Sequence, residues 1–322
     1  MSIEKPIPVT ILTGFLGAGK TTLLNKLLHD MSDQKVAVII NEFGDTSIDG
    51  QLVIPTREEI IEINSGCICC NVRGDLIHLL DNLIKQEKKL DRVIIETTGM
   101  ANPAPVIQTF LMDEKTADYF EIDSVITMVD ALHIGQHLQE EEPQQQIAFA
   151  DILLINKVDL ITEAEKIKLE KQLIQMNPNA QRFYTTYGDV DTKDLIGHRS
   201  FELDHVLNID PNLLTETHHH HHNHEVTSFV LQEDRPLDLD KVNRWFAYLV
   251  RVKGESLYRY KGILNIKQLE QKVAFQGVHM LFAGTEEELW GKEEKRKSEV
   301  VFIGKNLDHE ELKKGFQKCL AI

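Results

Sequence analysis

Residues 14 to 22 read Gly14-Phe15-Leu16-Gly17-Ala18-Gly19-Lys20-Thr21-Thr22. An apolar run at 9–12 comes before this stretch, and a run with helical periodicity follows at 21–29. A buried strand, a glycine-rich loop and an opening helix form the context in which the spacing G-x-x-x-x-G-K-T binds phosphate. The stretch therefore predicts a strand–loop–helix unit whose loop is a phosphate-binding P-loop.

The residue types in this loop each have a chemical reason. Glycines allow a tight turn and bring backbone N–H groups close to phosphate oxygens, and the following helix adds positive potential at its N-terminus. Lys20 can reach the outer phosphates, and the hydroxyl of Thr21 can ligate Mg²⁺. The predicted nucleotide-binding residues of the loop are Gly14, Gly17, Ala18, Gly19, Lys20, Thr21 and Thr22.

The composition indicates an ordinary globular chain. It has 322 residues, of which 42% are hydrophobic and 27% charged, and this length predicts about two domains. The net charge of −16 argues against nucleic acid or an anionic membrane as a partner. The first residues do not resemble a signal peptide, and no apolar run reaches membrane-spanning length. Because three of the four cysteines fall within four positions, we expect reduced thiols and a cytoplasmic protein.

The order of predicted elements indicates an α/β fold in the first half. Predicted strands alternate with predicted helices, which is typical of a mainly parallel sheet covered by helices on both faces. The strands are expected at 9–12, 36–40, 92–95, 124–129 and 152–155, and the helices at 21–29, 76–87, 105–111 and 163–175. The acidic run at 140–142 is interpreted as a solvated turn.

The pattern weakens after residue 183 and a different one begins near residue 226. We expect a P-loop domain at 1–184, a histidine-rich linker at 185–225 and a small α+β domain at 226–322. The last domain is predicted to have strands at 227–231, 257–266, 271–282 and 300–303, with helices at 239–250 and 308–320. Asp238 is expected to cap the first of these helices.

A second motif indicates which base the nucleotide carries. Asn156, Lys157 and Asp159 form the pattern N-K-x-D at the end of a predicted strand. A carboxylate here can accept two hydrogen bonds from guanine, whereas adenine has no matching donors and would leave a buried Asp159 unpaired. The motif predicts GTP and GDP as ligands and disfavours a small-molecule kinase.

A third motif, Glu96-Thr97-Thr98-Gly99, follows the strand expected at 92–95. Glu96 is placed to hold Mg²⁺ through water or to orient the attacking water, and Gly99 to let backbone approach the γ-phosphate. Together with Lys20 and Thr21, Glu96 makes up the predicted catalytic set.

Three clustered cysteines, Cys67, Cys69 and Cys70, predict a metal site. Thiolates favour Zn²⁺ or Cu(I), and the spacing C-x-C-C is too tight for an ordinary tetrahedral zinc finger. Such a site leaves a coordination position open, which suits a cargo that must be released. The alternative is a group of buried or redox-active cysteines, and burial is the interpretation for the isolated Cys319.

The cysteines lie between the P-loop and Glu96, in the interval where GTPases keep loops that respond to the γ-phosphate. This interval begins with the segment 41–45, in which Glu42 is a candidate nucleotide contact. By linkage, metal and GTP would change each other's affinity equally.

A histidine tract lies in the expected linker. Imidazoles bind Zn²⁺, Ni²⁺, Co²⁺ and Cu²⁺, and a flexible tract could collect such ions near the thiols. The alternatives are an engineered tag and a polar spacer. The candidate metal-gathering residues are His218, His219, His220, His221, His222 and His224.

These motifs together resemble the CobW/YjiA-type family of P-loop GTPases. The matching stretches are 14–22, 41–44, 66–70, 96–99 and 156–159, with further likeness at 259–262, 290–291 and 301–304. The resemblance implies slow GTP hydrolysis coupled to delivery of a metal, usually zinc and in some branches cobalt, to apo-metalloprotein clients. It implies that Lys20 and Thr21 serve phosphate and Mg²⁺, that Asp159 reads guanine, and that the three clustered cysteines hold the cargo.

The chain departs from the family pattern at one place. Ile40 occupies the position before the segment 41–44 where some relatives carry a glutamate that serves a further metal site.

The motifs and the resemblance together predict a GTP-hydrolysing zinc metallochaperone that uses Mg²⁺. A cobalt chaperone, and a storage or sensing module with GTP as a structural ligand, are the alternatives. The oligomeric state is left open.

Overall fold

The structure is a computed structural model that describes residues 5–41, 59–63, 68–85, 90–198, 226–291 and 294–321. The chain divides into two compact units. The first consists of Met1–Glu170 and Ala180–Phe201, and the second of Lys171–Asn179 and Glu202–Ile322. Within the described ranges, no helix combines the length and the apolar character needed to cross a membrane.

The first unit is built on a seven-stranded sheet in which all neighbouring strands are parallel. The strand order is β3-β2-β4-β1-β5-β6-β7. The strands are β1 Ile7–Gly14, β2 Val36–Asn41, β3 Glu59–Ile63, β4 Arg92–Glu96, β5 Phe120–Asp130, β6 Ile152–Asn156 and β7 Gln181–Thr185. This arrangement confirms the predicted α/β class with a mainly parallel P-loop sheet.

Helices connect these strands. They are α1 Lys20–Asp30, α2 Ile68–Lys85, α3 Ala104–Met112, α4 Glu114–Tyr119, α5 Ile134–His137, α6 Glu141–Phe149 and α7 Glu163–Met176. Short 3₁₀ turns occupy Val158–Leu160 and Thr192–Asp194. In α1 the buried residues are Leu23, Leu24, Leu27 and Leu28, so one apolar stripe at helical spacing faces the sheet.

The sequence did not predict all of these elements. Strands β3 and β7 and helices α4, α5 and α6 were missed, and the acidic run at 140–142 opens helix α6 rather than forming a turn. Helix α2 begins at Ile68, eight residues before the predicted start at residue 76. After β7, Leu195 is fully buried in the same core as Leu23 and Leu24, so part of the expected linker packs on the first unit.

A buried ion pair ties the amino end of the sheet together. Arg92 donates a 2.6 Å hydrogen bond from Nη1 to Oδ2 of Asp123, and a second, of 3.0 Å, to Oγ1 of Thr10. The same carboxylate oxygen of Asp123 accepts a 2.7 Å bond from the backbone N–H of Gly197. Because both charges are buried, each depends on the other for compensation.

Among the residues described from 226 onward, the second unit carries a five-stranded antiparallel sheet and two helices, which confirms the predicted α+β character. The strand order is β11-β10-β9-β12-β8. The elements are β8 Val226–Glu233, α8 Leu239–Lys253, β9 Leu257–Leu264, β10 Gln271–Val278, β11 Leu281–Leu289, β12 Ser298–Lys305 and α9 His309–Gln317. The single strand predicted at 271–282 is wrong, because β10 and β11 form a hairpin there.

Aromatic side chains fill the core of this unit. Phe246 of α8 contacts Phe275 of β10, with ring centroids 3.8 Å apart, and stacks on Tyr260 of β9 at 5.5 Å. Asp238 caps α8 as predicted, since its Oδ1 accepts a 3.0 Å hydrogen bond from the N–H of Lys241. Cys319 is buried as predicted, and burial raises the pKa of its thiol to about 11.

Candidate nucleotide-binding site

The carboxyl ends of the parallel strands place the predicted nucleotide residues along one edge of the sheet. Gly14 ends β1, Glu96 ends β4 and Asn156 ends β6. Strand β1 lies in the centre of the sheet, between β4 and β5. Ligands of open α/β sheets bind at the carboxyl ends of the strands, so the fold itself indicates a binding site at this edge.

The backbone of the P-loop is left-handed at three glycines. Gly14, Gly17 and Gly19 have φ values of 136°, 74° and 108°. Gly14 is also pressed against strand β5, since a Cβ there would lie 2.3 Å from the carbonyl oxygen of Met128. Any larger residue at Gly14 would therefore push the loop away from the sheet, and the cradle predicted from the sequence requires glycine at this position.

Lys20 is folded back over the loop that precedes it. Its Nζ donates hydrogen bonds of 2.8 Å to the carbonyl of Gly14 and 3.3 Å to that of Phe15. Lys20 is the first residue of α1 and follows the left-handed Gly19, which is the N-cap of the helix. The ammonium group therefore lies at the mouth of the cradle, where a helix N-terminus favours anions.

Thr21 and Glu96 lie side by side, although 75 residues separate them in sequence. The hydroxyl of Thr21 donates a 3.5 Å hydrogen bond to Oε1 of Glu96. Glu96 is buried at the end of β4, directly opposite Leu12 of β1. A hydroxyl and a carboxylate at this distance offer the hard oxygen ligands that Mg²⁺ prefers, so the residues present fit the ion.

Gly99 lies against the P-loop. A Cβ at Gly99 would lie 2.5 Å from Cδ2 of Leu16 and 2.8 Å from its backbone nitrogen. The loop that carries Gly99 is held from behind by Gln146, whose Nε2 donates 3.1 Å hydrogen bonds to the carbonyls of Gly99 and Ala101. Gln146 was missed at the sequence level, because helix α6, which carries it, was not predicted and its hydrogen-bond partners lie 47 and 45 residues away in the chain.

Asn156 joins the P-loop to the loop that follows β7. Its Nδ2 donates a 3.0 Å hydrogen bond to the carbonyl of Ala18, and its Oδ1 accepts bonds from Gly188 N–H at 2.9 Å and Thr185 Oγ1 at 3.2 Å. With 3% of its surface exposed, Asn156 is buried. These bonds use both ends of the amide, so the side chain acts as a brace between two loops.

Lys157 pairs with an acidic residue that the motif search did not find. Its Nζ donates a 2.6 Å hydrogen bond to Oδ2 of Asp130, the last residue of β5. Asp130 also accepts bonds from the N–H groups of Leu132 and His133. Burial alone would raise the pKa of Asp130, but the bonds from Lys157 and His133 outweigh it, so the pKa is lowered. Asp130 could have been suspected from its place at a strand end.

Asp159 lies at the surface of the site. It is exposed rather than buried, unlike the carboxylate that the sequence argument assumed, and its Oδ1 accepts a 3.1 Å hydrogen bond from Oγ1 of Thr186. An exposed carboxylate at the same sheet edge as the P-loop is accessible to a ligand, as base reading requires. The contribution of Thr186 was not predicted from the sequence, because the loop after β7 carries no motif that marks it.

The predicted metal ligands lie largely outside the described part of the structure. Cys69 and Cys70 are the second and third residues of α2, and at these two positions the structure describes the backbone but not the side chains. Among the residues described with their side chains, no group of three or more His, Cys, Asp or Glu is placed to hold a metal ion. The predicted site residues beyond the described ranges are Glu42, Cys67, His218, His219, His220, His221, His222 and His224.

Ile40 lies within the described residues, unlike most of the predicted metal ligands. It is buried in β2 with 4% of its surface exposed. Its side chain therefore belongs to the core of the sheet and offers no ligand atom, in agreement with the expected departure from the family pattern.

Comparison with known proteins assigns both parts of the chain. The CobW/HypB/UreG nucleotide-binding domain matches residues 8–184, and the cobalamin synthesis protein cobW C-terminal domain matches residues 226–320. The chain is 38% identical over 317 residues to the zinc chaperone YjiA of Escherichia coli, covering 97% of this chain and 98% of that protein. It is 30% identical over 353 residues to the zinc chaperone CobW of Pseudomonas aeruginosa, covering 98% and 92%.

The fold has a counterpart among solved structures. The crystal structure of Zn(II)-bound YjiA GTPase from E. coli matches with a TM-score of 0.76 and 34% identity, covering 98% of this chain and all of the other. The sequence match and the structural match agree on the same protein. This chain belongs to the CobW/HypB/UreG family of nucleotide-binding proteins and carries the cobW C-terminal domain as well.

Proposed function

We propose that this chain is a GTP-hydrolysing zinc metallochaperone, which couples binding and hydrolysis of Mg²⁺·GTP to transfer of a thiolate-bound zinc ion to an apo-metalloprotein. The observation that carries the proposal is the contact between Thr21 of the P-loop helix and the buried Glu96, 3.5 Å apart at the edge of the sheet. A hydroxyl and a carboxylate brought together beside a lysine-bearing cradle are suited to triphosphate chemistry.

On the phosphate side, the backbone of the P-loop from Gly14 to Gly19 would surround the phosphate oxygens, and Lys20 would exchange its carbonyl acceptors for the outer phosphates. Thr21 and Glu96 would hold Mg²⁺, which neutralises developing negative charge on the phosphates when it is bound. Glu96 is also placed to orient the attacking water. Thr22 and Glu42 complete the proposed phosphate contacts, and Gly99 lets backbone approach the γ-phosphate.

On the base side, Asp159 would accept the two hydrogen bonds that guanine donates from its ring and amino nitrogens. Lys157 keeps its ammonium on Asp130, and Asn156 holds the two flanking loops at a fixed spacing. Adenine would leave the Asp159 carboxylate without matching donors. The ligand we propose is therefore GTP, with GDP as the product.

The zinc cargo would bind to the thiolates of Cys67, Cys69 and Cys70. The backbone supports a position near the nucleotide, because the cysteines follow β3, whose carboxyl end lies at the same sheet edge as the P-loop. Strand β3 is separated from β1 by β2 and β4, which corresponds to about 14 Å across the sheet. At that range a rearrangement of one loop can be transmitted to the other.

Zinc is favoured over cobalt as the cargo. Both full-length relatives described above are named as zinc chaperones, and soft thiolate ligands suit zinc. The histidine tract at 218–224 would collect metal ions and raise their concentration near the thiols. Since clustered thiols stay reduced in the cytosol, we place the activity in the cytoplasm.

The division of the chain into a P-loop domain at 1–184, a linker at 185–225 and a C-terminal domain at 226–322 is part of this proposal, with the start of the linker, as far as Leu195, packed on the P-loop domain. The two family domains, which match residues 8–184 and 226–320, support it. The P-loop domain would carry both nucleotide and zinc. The C-terminal domain would help to select the client.

The test is a measurement of zinc affinity with a non-hydrolysable GTP analogue, with GDP and without nucleotide. We expect different zinc affinities in these three conditions, and by reciprocity zinc should change the affinity for the GTP analogue by the same factor. Equal affinities would leave a protein that binds both ligands without coupling them, and the metallochaperone mechanism would be rejected.

Two variants separate the two halves of the proposal. Glu96→Gln should retain GDP binding but lose single-turnover GTP hydrolysis. Replacing Cys67, Cys69 and Cys70 together by serine should abolish tight zinc binding while GDP affinity stays at the wild-type value. If the triple variant keeps the full zinc affinity, the assignment of the cysteines as cargo ligands is wrong. If hydrolysis is absent from the wild type with and without zinc, the chain stores or senses metal instead.

A further inference from the structure

The loop after β7 contains a tight turn with an unusual occupant. The backbone N–H of Asp189 donates a 3.1 Å hydrogen bond to the carbonyl of Thr186, which closes a four-residue turn. Both central residues are left-handed, with φ of 56° at Tyr187 and 67° at Gly188. Turns with positive φ at both central positions strongly favour asparagine, aspartate or glycine. Gly188 satisfies this preference and Tyr187 does not.

Packing does not explain the tyrosine. Its surface is 83% exposed, the largest exposed fraction among the well-exposed large hydrophobic residues that the structure describes. A bulky residue with positive φ carries a conformational cost, and here no burial offsets it. The fold would be served better by asparagine or glycine at this position.

The turn is held in place from three sides, and two of them belong to the base-reading motif. Thr186, before the tyrosine, donates its hydroxyl to Asp159, and Gly188, after it, donates its N–H to Asn156. Asp189 forms a 3.1 Å ion pair with Lys26 of the P-loop helix. Residues on both sides of Tyr187 are therefore fixed to Asp159 and Asn156, so the backbone of Tyr187 is anchored to the motif proposed to read guanine.

We propose that the phenol ring of Tyr187 stacks on one face of the guanine base held by Asp159. An aromatic side chain covers the π-face of a base irrespective of the base's hydrogen-bonding groups, whereas Asp159 reads those groups at the edge. Tyr187 then adds affinity for GTP and GDP alike, and Asp159 adds selectivity. The inference rests on the proposed function, since it requires a guanine nucleotide as the ligand.

The decisive variant is Tyr187→Asn, which places a residue favoured by the turn at the same position. We expect GDP affinity, measured by titration calorimetry, to fall about tenfold, as is typical for removal of one aromatic stacking partner from a base. The melting temperature without nucleotide should be equal to or higher than that of the wild type, because the left-handed strain is relieved. Tyr187→Phe should bind GDP within about twofold of the wild type, since the ring is retained.

Two controls define the outcome. Tyr248→Asn replaces another exposed tyrosine, on α8, and should leave GDP affinity unchanged. Inosine diphosphate lacks the amino group of guanine. Tyr187→Asn should lower the affinity for inosine diphosphate by the same factor as the affinity for GDP, because stacking does not depend on that group. Asp159→Ala should instead reduce the preference for GDP over inosine diphosphate.

Unchanged GDP affinity in Tyr187→Asn would overturn the inference and leave the proposed function intact. A wild type that binds no guanine nucleotide would overturn both. A lower melting temperature in Tyr187→Asn would also count against the inference, since it would mean that the tyrosine stabilises the fold.

Discussion

The side-chain amide of Asn156 donates a 3.0 Å hydrogen bond to the carbonyl of Ala18, so the last residue of β6 holds the P-loop directly. Gly19, the next residue, confirms how close the approach is, because a Cβ there would lie 2.9 Å from the same amide nitrogen. The first residue of the N-K-x-D motif therefore links the base side of the site to its phosphate side.

Asn156→Ala should destabilise the protein even without nucleotide. The substitution removes three hydrogen bonds and leaves buried partners unsatisfied, which predicts a loss of about 2–3 kcal/mol in the free energy of unfolding. Urea denaturation monitored by circular dichroism measures it. Asn179→Ala is the matched control, because the Oδ1 of Asn179 is buried without a hydrogen-bond partner among the described residues. Equal losses in the two variants would contradict the bracing role.

Gly99→Ala should weaken GDP binding. A methyl group there would collide with Leu16, both in its side chain and at its backbone nitrogen, and would displace the P-loop. Overpacking of this kind costs about 1–3 kcal/mol, which corresponds to a loss of roughly five- to 150-fold if it falls on the binding-competent loop. Gly135→Ala is the control, since a Cβ there meets no atom within 4 Å. The prediction fails if both variants bind GDP equally well.

Asp123→Ala should strongly destabilise the fold, although Asp123 has no part in the proposed nucleotide site. It leaves the buried guanidinium of Arg92 without its 2.6 Å partner, and breaking such a pair typically costs about 3–5 kcal/mol. The double variant Arg92→Met with Asp123→Leu should lose less than Asp123→Ala alone, because no uncompensated charge remains. Chemical denaturation of the two variants measures the difference, and a double variant that is no more stable than Asp123→Ala would refute the interpretation.

Asp130 should make the stability of the protein depend on pH. Because its pKa is lowered in the folded protein, its carboxylate stabilises the fold above the ordinary aspartate range and loses this effect as pH falls through the folded value. The wild type should therefore be more stable than Asp130→Asn at pH 7, and the gap should shrink below about pH 4. Thermal unfolding without nucleotide across this range is the measurement. A gap that does not change with pH would indicate loss of packing rather than loss of charge.

Deletion of residues 218–224 should lower the number of metal ions bound per chain without abolishing GDP binding. The deletion removes six imidazoles and leaves the cysteines and the P-loop in place. Zinc stoichiometry by equilibrium dialysis and GDP affinity by calorimetry test the two halves. Substitution of the same residues by a glycine–serine segment of equal length controls for linker length. An unchanged zinc stoichiometry would remove the metal-gathering role.

The sequence predicted the centre of the fold well because local pattern and burial agree there. In β1 and α1 the apolar spacing, the glycine loop and the helix start all lie within 24 residues, from Ile7 to Asp30. The elements that were missed depend on distant partners. Helix α6 begins with two glutamates and carries three consecutive glutamines, which look like a polar turn, and these glutamines are buried in the folded protein.

The hairpin of β10 and β11 was missed for a local reason. The turn between the strands contains no glycine, and His279 takes the left-handed conformation with φ of 50°. Without a glycine or proline to mark the turn, residues 271–282 look like one continuous strand.

The same distinction holds within the site. Residues that stand together in a motif, such as Lys20 with Thr21 or Asn156 with Asp159, could be found from the sequence. Gln146 and Thr186 could not, and Asp130 was marked only by its place at a strand end, because each acts through a bond to a residue between 27 and 47 positions away. Sequence spacing alone does not reveal such contacts.

The bonds from Lys20 to the carbonyls of Gly14 and Phe15 have a kinetic consequence. The Lys20 ammonium has neutral acceptors within its own loop. When GDP leaves, the ammonium can therefore return to hydrogen bonds with these carbonyls in the partly buried cradle. We expect nucleotide exchange to proceed spontaneously, without a dedicated release factor. The relative supply of GTP and GDP would then govern which of them the protein carries, and stopped-flow release of a fluorescent GDP can measure the rate.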